Sequence, residues 1–303
     1  NGITDQVTVD GSLYELPFRS DYWLIYYNKD VFDAAGIAYP SNDMTMEDYD
    51  ALARQLTDTT YGSQVYGCHY HTWRSAVELF GILDGKHSIL DGNYDWMIPY
   101  YDMILSEEDD GVCQTYTDLS TEGLHYSAAF SNGNVAMMNM GSWFISTLIS
   151  NLDSGEYDSS LCGNWGIASY PHPDGAEAGS TIATITGLAV TSASANKDAA
   201  FDFVNWVSGT EGAKVMASTG NFPAIMTDDV INTIAGMAGF PTDEGSKEAL
   251  NITNAYLEVP YAENVSEINS ILDTYHTSIM NREVTVEEGV ASMNEQVGKI
   301  LNQ

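Results

Sequence analysis

The fold is decided by the stretch Asp21-Tyr-Trp-Leu-Ile-Tyr-Tyr-Asn-Lys-Asp-Val-Phe-Asp-Ala-Ala-Gly36. Residues 22–27 form a short apolar run rich in aromatic side chains, which predicts a buried strand. After Asn28-Lys29-Asp30 the sequence predicts a short helix at Val31–Ala35 that ends at Gly36. A buried strand followed closely by a helix is the unit from which α/β proteins are built.

Outward from this stretch, short apolar strands and amphipathic helices continue to alternate. Further strands are predicted at 134–139, 164–169 and 181–191. Further helices are predicted at 46–57, 74–84, 94–105, 121–131, 143–150, 196–207, 210–217, 263–280 and from 285 onward. The acidic segment 106–111 is interpreted as a solvated turn because its spacing is not that of an EF-hand. The expected fold class is therefore α/β.

Length, composition and charge limit the class of protein. The chain has 303 residues, which is more than one typical core holds and suits two lobes. Hydrophobic residues make up 44% and charged residues 17%, as in globular proteins. Lys and Arg number 10 against 43 Asp and Glu, a net charge of −33. Such a surface repels phosphate backbones, so we expect no nucleic-acid partner, and it disfavours an anionic ligand.

Motifs of nucleotide, hydrolase and metal chemistry are absent or weak. GxGxxG, GxxxxGK[ST], GxSxG and HExxH do not occur in the sequence. Cys68-His69-Tyr70-His71 offers metal-ligand types, but a zinc site needs three or four converging ligands, so ordinary packed and polar residues are the preferred interpretation. With 43 acidic residues, no carboxylate pair stands out as that of a glycosidase. We expect no cofactor and no metal.

The cysteines allow two interpretations. Cys68, Cys113 and Cys162 match neither a zinc ribbon nor a CxxC motif. One disulfide with one buried thiol and three buried thiols are equally compatible with this spacing. The sequence alone does not decide between them.

The aromatic residues are more informative than the charged ones. The chain holds six Trp and 19 Tyr. Sugars stack their C–H faces on aromatic rings and direct their hydroxyls at polar groups, so a cleft that combines both is typical of a carbohydrate site. The aromatic residues near predicted strand ends, where α/β sheets bind ligands, are Trp23, Tyr70, Trp73, Trp143 and Tyr170. Each Trp taken alone is explained equally well by core packing.

Four segments, in order along the chain, carry a family resemblance. They are Asp10-Gly-Ser-Leu-Tyr-Glu-Leu-Pro17 with the stretch 21–36; Tyr39-Pro with Thr45-Met-Glu-Asp-Tyr49; Phe130-Ser-Asn-Gly-Asn-Val-Ala-Met-Met-Asn-Met-Gly-Ser-Trp143; and Gly187 through Ser194-Ala-Asn-Lys-Asp-Ala-Ala-Phe-Asp-Phe203 to Gly220-Asn-Phe-Pro223. Together they resemble the extracellular solute-binding proteins of ABC importers, in the carbohydrate-binding family that includes maltose-binding protein.

The resemblance implies a two-lobed periplasmic-binding-protein-like fold of type II that closes on a sugar. It implies delivery of the sugar to an ABC permease and no catalysis. It also implies an extracellular location, either periplasmic or anchored at the cell surface, with the membrane contacted only through an upstream lipid anchor. A binding protein of the same fold for a polyamine or an amino acid, or a carbohydrate-active enzyme, remains an alternative.

The resemblance also suggests ligand contacts. Asp21 is expected to accept hydrogen bonds from sugar hydroxyls, and Trp143 is expected to act as a stacking platform. The complete set of expected ligand-binding residues is Asp21, Trp143, Trp23, Tyr70, Trp73, Arg19, Tyr170 and Asn221.

Members of this family usually carry a further segment before the part that resembles Asp10–Pro17. We therefore expect an incomplete N-terminal lobe made of residues 1–20 and 183–258, and a C-terminal lobe made of residues 21–182 and 259–303. An incomplete lobe exposes apolar faces, so we expect lowered stability or self-association of this chain.

Overall fold

The structure, a computed structural model, describes residues 3–57 and 65–302. Strands and helices are mixed along the chain, which confirms the α/β class. The strands are β1 (Thr8–Val9), β2 (Ser12–Leu13), β3 (Leu16–Asn28), β4 (Tyr66–His69), β5 (Val135–Gly141), β6 (Trp165–Ser169), β7 (Thr181–Leu188) and β8 (Ala255–Leu257). The helices are α1 (Ile3–Gln6), α2 (Lys29–Ala35), α3 (Met46–Leu56), α4 (Ser75–Ile82), α5 (Ile98–Asp109), α6 (Tyr116–Glu122), α7 (Tyr126–Ser131), α8 (Trp143–Ser154), α9 (Ser159–Cys162), α10 (Lys197–Val207), α11 (Thr210–Ala217), α12 (Asp228–Ala235), α13 (Glu244–Glu248), α14 (Val265–Met280) and α15 (Val286–Leu301).

The main sheet is built on β3, which is longer than the predicted strand. Along one edge β3 pairs antiparallel first with β7, from Leu16 to Tyr22, and then with β6, from Leu24 to Asn28. On the other edge its second half pairs antiparallel with β5. β4 and β8 extend the sheet by parallel pairing with β5 and β7. One strand therefore links two groups of strands that lie one after the other along it.

The core lies around the second half of β3. Residues from Trp23 to Tyr27 are buried, and the Tyr26 hydroxyl donates to the carbonyl of Gly141 at 2.9 Å, which ties β3 to the end of β5. Phe130 and Phe144 pack edge-on against the Tyr26 ring. In the described part of the chain, no helix combines the length and apolarity that crossing a membrane requires.

Local sequence signals set several helix ends. Helix α2 begins two residues earlier than predicted, because the Asn28 side chain accepts from the amide of Asp30, and it ends as predicted at Gly36, in the left-handed conformation at φ 68°. Thr45 and Asp48 form the reciprocal capping box that begins α3. These signals fix where the chain enters and leaves the helices that flank β3.

The acidic segment after residue 105 differs from its prediction. Helix α5 continues to Asp109, so the predicted solvated turn at 106–111 is wrong for its first four residues. Glu107 is fully buried, and Glu108, also buried, accepts a hydrogen bond from the amide of Tyr116 at 2.8 Å. The acidic composition suggested that this segment is exposed to solvent, whereas the helix buries two of its carboxylates, those of Glu107 and Glu108.

Other helices also differ from the prediction. The helix predicted at 121–131 is two helices, because Gly123 adopts φ 63° and ends α6 before α7 begins. Helices α12 and α13 and strand β8 were not predicted. These elements are short, and single short segments carry little periodic signal.

Contacts of residues 240–250 bear on the predicted division into lobes. The amide of Ile167 in β6 donates to Ser246 Oγ at 3.1 Å, and Lys29 Nζ lies 2.5 Å from Asp243 Oδ2. Phe240 packs edge-on against Trp165. Residues predicted to belong to the N-terminal lobe thus contact strands predicted to belong to the C-terminal lobe. The boundaries at 183 and 258 remain a prediction, and this segment is the place to test them.

Candidate functional site

A cavity of about 330 Å³ lies beside Trp23, between the start of α4, the start of α8 and one face of α14. Its size is at the lower end of the range for small-molecule sites. The lining residues combine aromatic, acidic, basic and hydroxyl side chains: Trp23, Thr72, Trp73, Arg74, Ser75, Glu78, Trp143, Thr184, Glu258, Val259, Asn269, Asp273, His276 and Thr277.

Three tryptophans form one wall of the cavity, which we call the tryptophan wall. The Trp23 ring meets Trp73 at 6.4 Å and Trp143 at 5.5 Å between centroids, both nearly perpendicular. Trp73 and Trp143 are 6.3 Å apart at an interplanar angle of 57°. Trp23 is buried, whereas Trp73 is 41% exposed. The buried ring therefore supports two rings that reach the cavity.

The backbone leaves room for this wall. Trp143 is the first residue of α8, directly after the strand β5 that ends at Gly141. A Cβ atom at position 141 would lie 2.1 Å from Trp143 Cζ3, so only glycine allows the indole to fold over the end of β5. The position of the Trp143 indole thus depends on Gly141, which has no side chain.

Arg74 is the polar centre of the opposite side, at the N-terminus of α4. Its Nε lies 3.0 Å from Oε2 of Glu78, four residues further along the helix. Its Nη2 donates to Asn269 Oδ1 at 2.5 Å, and its Nε lies 3.5 Å from Asp273 Oδ1. Burial raises the pKa of Glu78 to about 7, and the charge of Arg74 opposes that rise. The cation therefore has two carboxylates and an amide oxygen as partners.

Further polar groups close the cavity. The Thr184 hydroxyl donates to Glu258 Oε2 at 2.7 Å, and burial raises the pKa of this carboxyl. His276 lies on α14 and pairs through Nδ1 with the Tyr101 hydroxyl at 3.0 Å. Burial, with a smaller contribution from Arg74, lowers the pKa of His276 to about 3, so its ring is neutral at physiological pH.

The side chains from α14 share one face of that helix. Asn269, Asp273, His276 and Thr277 follow one another at spacings of four, three and one residues, which places them along a single stripe. Asp273 remains 62% exposed in its side chain. An exposed carboxylate and hydroxyl facing aromatic rings form a surface that can accept and donate hydrogen bonds to a polyhydroxy compound while its C–H face stacks.

Of the residues predicted from sequence, the structure brings Trp23, Trp73 and Trp143 together in this cavity. It places Tyr70 and Tyr170 in the core instead. The Tyr70 ring packs against Tyr49 and Phe80, and the Tyr170 hydroxyl accepts from Asn139 Nδ2 at 3.1 Å. Neither tyrosine lines the cavity.

Asp21, Arg19 and Asn221 also lie outside this cavity. Arg19 Nε is 2.5 Å from Asp21 Oδ2, and the Ser142 hydroxyl donates to Asp21 Oδ1 at 2.9 Å. Burial raises the pKa of Asp21, and its pairing with Arg19 opposes that rise. Arg19 and Asn221 line a separate groove of about 300 Å³ beside Trp206. The expected ligand roles of these three residues remain predictions.

Sequence reasoning missed the polar side of the cavity. Arg74, Glu78, Glu258, Asn269 and Asp273 were not among the expected residues. A local signal existed for two of them, because Arg74 and Glu78 are an i,i+4 pair of opposite charge in an otherwise apolar helix. The remaining three come from distant parts of the chain and carried no such signal.

The mixed α/β fold is that of the two-lobed periplasmic-binding-protein class. A family model described as bacterial extracellular solute-binding protein matches residues 1–214, and the chain belongs to this family. The resemblance identified from sequence is thereby confirmed.

Solved structures and a sequence relative are also similar to this chain. A sugar transporter of Rhizobium etli, solved in an open conformation, is 48% identical and superposes with a TM-score of 0.91 over 98% of this chain and 75% of that one. An ABC substrate-binding protein of Listeria monocytogenes in complex with cycloalternan is 22% identical, with a TM-score of 0.80 over 99% of this chain and 74% of that one, and shows the shared fold. A mannitol-binding protein of Pseudomonas aeruginosa is 24% identical over 223 residues, 71% of this chain, and the chain spans about half (49%) of that relative's length.

Proposed function

We propose that the chain is the ligand-capturing component of an ABC importer and that it binds a sugar or sugar alcohol in the cavity beside the tryptophan wall. The observation that carries this proposal is the convergence of three indole rings with Arg74, Glu258 and Asp273 around one cavity. Aromatic faces suit the C–H surface of a sugar, and paired charged groups suit its hydroxyls. Trp73 and Trp143 are the proposed stacking residues.

The relatives support this ligand class. One is a sugar transporter, one was solved with cycloalternan, and one is a mannitol-binding protein. Other structures of the same fold hold maltose or mannobiose. All of these ligands are neutral polyhydroxy compounds, which agrees with a cavity where the acidic side chains disfavour an anion.

A cationic solute, such as a polyamine, is the second candidate. Glu78, Glu258 and Asp273 outnumber Arg74 around the cavity, so its surroundings favour positive charge. Against this, Arg74 already partners Glu78 and Asp273, and Thr184 donates to Glu258. We infer that the carboxylates chiefly orient hydroxyl partners and that the protein catalyses no reaction on its ligand.

The family description is that of an extracellular protein. We propose a periplasmic or surface-anchored location, with a lipid anchor upstream in the latter case. In either location, lobe closure around the sugar would present the bound form to the membrane subunits of an ABC permease.

Thermal unfolding with a ligand panel tests the proposal. The panel holds maltose, mannobiose, mannitol, tagatose and cycloalternan, with spermidine and lysine as cationic members. A ligand at about a hundred times its dissociation constant adds ~2.7 kcal/mol to the free energy of unfolding if it binds only the folded state. We expect such a stabilisation with one class of sugar or sugar alcohol, followed by calorimetry to obtain the affinity.

Matched variants locate the site. Trp73→Ala removes an exposed ring from the tryptophan wall, whereas Trp206→Ala removes a 51% exposed ring that does not line the cavity. We expect Trp73→Ala to weaken binding and Trp206→Ala to leave it unchanged. Stabilisation by spermidine alone would select the cationic candidate, and release of product from a sugar substrate would contradict the absence of catalysis.

A further inference from the structure

Away from the cavity, three side chains of metal-ligand type converge in the core. Cys68 lies on β4, Glu107 in the last turn of α5, and Cys113 just after that helix. One sulfur or oxygen atom from each residue lies within 4.8 Å of the other two. Cys68 and Glu107 are fully buried and Cys113 is 2% exposed. The cluster is therefore formed by three separate elements and closed to solvent.

The local backbone holds these residues together. The Val112 amide donates to the Glu107 carbonyl at 2.8 Å, and the Val112 carbonyl accepts from the Cys68 amide at 3.4 Å. Gly111 adopts φ 69° and turns the chain back after α5. This turn returns Cys113 to the side of the helix where Glu107 lies and sets both against β4.

Glu107 has few partners for a buried carboxyl group. Within the described ranges, neither of its carboxyl oxygens makes a hydrogen bond of good geometry, and the same holds for the hydroxyls of Tyr49 and Tyr70. Buried polar groups are almost always satisfied, so a poorly satisfied set of this kind points to a missing ion or water. Burial raises the pKa of Glu107 to about 8, and the neighbouring Tyr70 hydroxyl opposes that rise.

We propose that Cys68, Glu107 and Cys113 form a buried binding site for a thiophilic divalent cation, of which Zn²⁺ is the test case. Two thiolates and a carboxylate are ligands that zinc accepts, and thiolates select against hard cations such as Mg²⁺ and Ca²⁺. A water molecule or a tyrosine hydroxyl would complete four-coordination. On binding, the two thiols and the Glu107 carboxyl release their protons, so three anionic ligands face the dication and the occupied site carries one net negative charge.

A disulfide between Cys68 and Cys113 is the competing state of the same cluster. It would require an external disulfide oxidant that accepts two electrons and two protons from the thiols. It would also leave the Glu107 carboxyl in the core without a hydrogen bond of good geometry, whereas a cation gives that group a bond. The poorly satisfied carboxyl is therefore the feature that favours the cation.

The test uses the full chain, purified with a phosphine reductant and chelator and then freed of both under nitrogen. Zn²⁺ is titrated against a chromophoric chelator, and Co²⁺ is added to a second sample for its thiolate charge-transfer absorption. We expect one ion per chain, a charge-transfer band, and a rise in melting temperature of roughly 5 °C at about a hundred times the dissociation constant.

Variants assign the ligands. Cys68→Ser and Glu107→Gln should each weaken Zn²⁺ binding at least tenfold and change or abolish the cobalt band. Cys162→Ser is the matched control, because Cys162 is an equally buried thiol outside the cluster, and it should bind as the native chain does. Circular dichroism of each variant establishes that it is folded before its affinity is compared.

Three results would overturn the proposal. The first is a native chain that, isolated without reductant, shows one free thiol in denaturant and regains two on reduction, because the pair is then a disulfide. The second is a reduced, folded chain that takes up neither Zn²⁺ nor Co²⁺. The third is a Glu107→Gln variant with native affinity and an unchanged cobalt band. The test uses no carbohydrate, so it is independent of the proposed transport function.

Discussion

Among the regions that present aromatic rings to solvent, the tryptophan wall and helix α10 differ in what surrounds the rings. In the tryptophan wall, Trp73 faces a cavity that also holds Arg74 and three carboxylates. On helix α10, Phe201, Phe203 and Trp206 are 54%, 60% and 51% exposed. This helix contributes Trp206 and Val207, and no charged residue, to the groove of about 300 Å³ beside it. The first arrangement is that of the proposed ligand site, and the second is a set of exposed rings on more than one side of a single helix.

The difference shows that ring count alone does not identify a site. Both regions hold aromatic residues, yet the tryptophan wall faces Asn269 and Asp273 of helix α14, whereas the groove beside Trp206 is lined by Arg19 of β3 and Asn221 of a loop. Large exposed apolar patches instead mark surfaces that associate with other surfaces. The following predictions test this contrast, beginning with the largest expected effect.

Removing the cation from the cavity should cost the most stability. Arg74→Met leaves Glu78 in the core without its partner, and breaking a buried ion pair in this way costs about 3–5 kcal/mol. We expect this loss in the free energy of unfolding at pH 8, measured with urea. The double variant Arg74→Met, Glu78→Gln should recover part of it, and a single variant as stable as the native chain would show that the pair does not stabilise the fold.

The second-largest expected effect is the dependence of stability on pH that the titration of Glu78 causes. Its pKa is raised from 4.5 to about 7 in the folded protein, so the folded state holds this proton more tightly than the unfolded state does. The contribution of Glu78 to stability is therefore largest below pH 4.5 and falls by roughly 3 kcal/mol as the pH rises to about 7.

Glu78→Gln removes that titration. The difference in unfolding free energy between the native chain and the variant should change across pH 4.5 to 7 and be constant above it. Glu107, whose pKa is raised to about 8, contributes equally to both proteins and cancels in this comparison. A difference that does not vary with pH would contradict the buried, proton-holding state of Glu78.

Ligand affinity should depend on the rings of the tryptophan wall to a smaller extent. Trp143→Ala removes a stacking face, and central aromatic residues of binding sites contribute about 2 kcal/mol or more, which is roughly a 30-fold loss of affinity. Trp143→Phe keeps a smaller face and should lose less. Calorimetry with the best ligand of the panel measures both, and equal affinities for the two variants would remove stacking as the explanation.

The exposed rings of α10 should respond least in stability. Phe203→Ser should change the free energy of unfolding by no more than about 0.5 kcal/mol and leave ligand affinity unchanged. Self-association, measured by sedimentation velocity, should decrease because a large exposed ring is lost. A marked loss of stability would mean that this ring packs in the folded chain, and the contrast with the tryptophan wall would fail.

The sequence predicted one side of the cavity better than the other for a physical reason. Trp23, Trp73 and Trp143 each lie beside a predicted strand or helix end, and such ends meet at the edges of α/β sheets. The Arg74 partner Asn269 is 195 residues away in sequence, so only the folded chain brings the two together. Local patterns contain no information about that contact.

The same limit explains why the cysteine cluster was missed. Cys68 and Cys113 were noted, but Glu107 belongs to an acidic run that was interpreted as solvated. Only the continuation of α5 through that run turns this one carboxylate inward. By contrast, the end of α2 at Gly36 and the start of α3 after Thr45 were predicted correctly, because a cap is decided within four residues of chain.

The continuous strand β3 also limits where this sequence can tolerate an inserted or deleted residue. It spans 13 residues, roughly 43 Å, and its side chains alternate between two faces. A single residue inserted between Arg19 and Trp23 would reverse the face of the strand residues that follow and withdraw the indole from the tryptophan wall. The pairing with β7 shifts register between Pro17 and Arg19, where one extra residue is absorbed. The strand can therefore gain or lose a residue at that bulge, whereas the number of residues between the bulge and Trp23 has to stay the same.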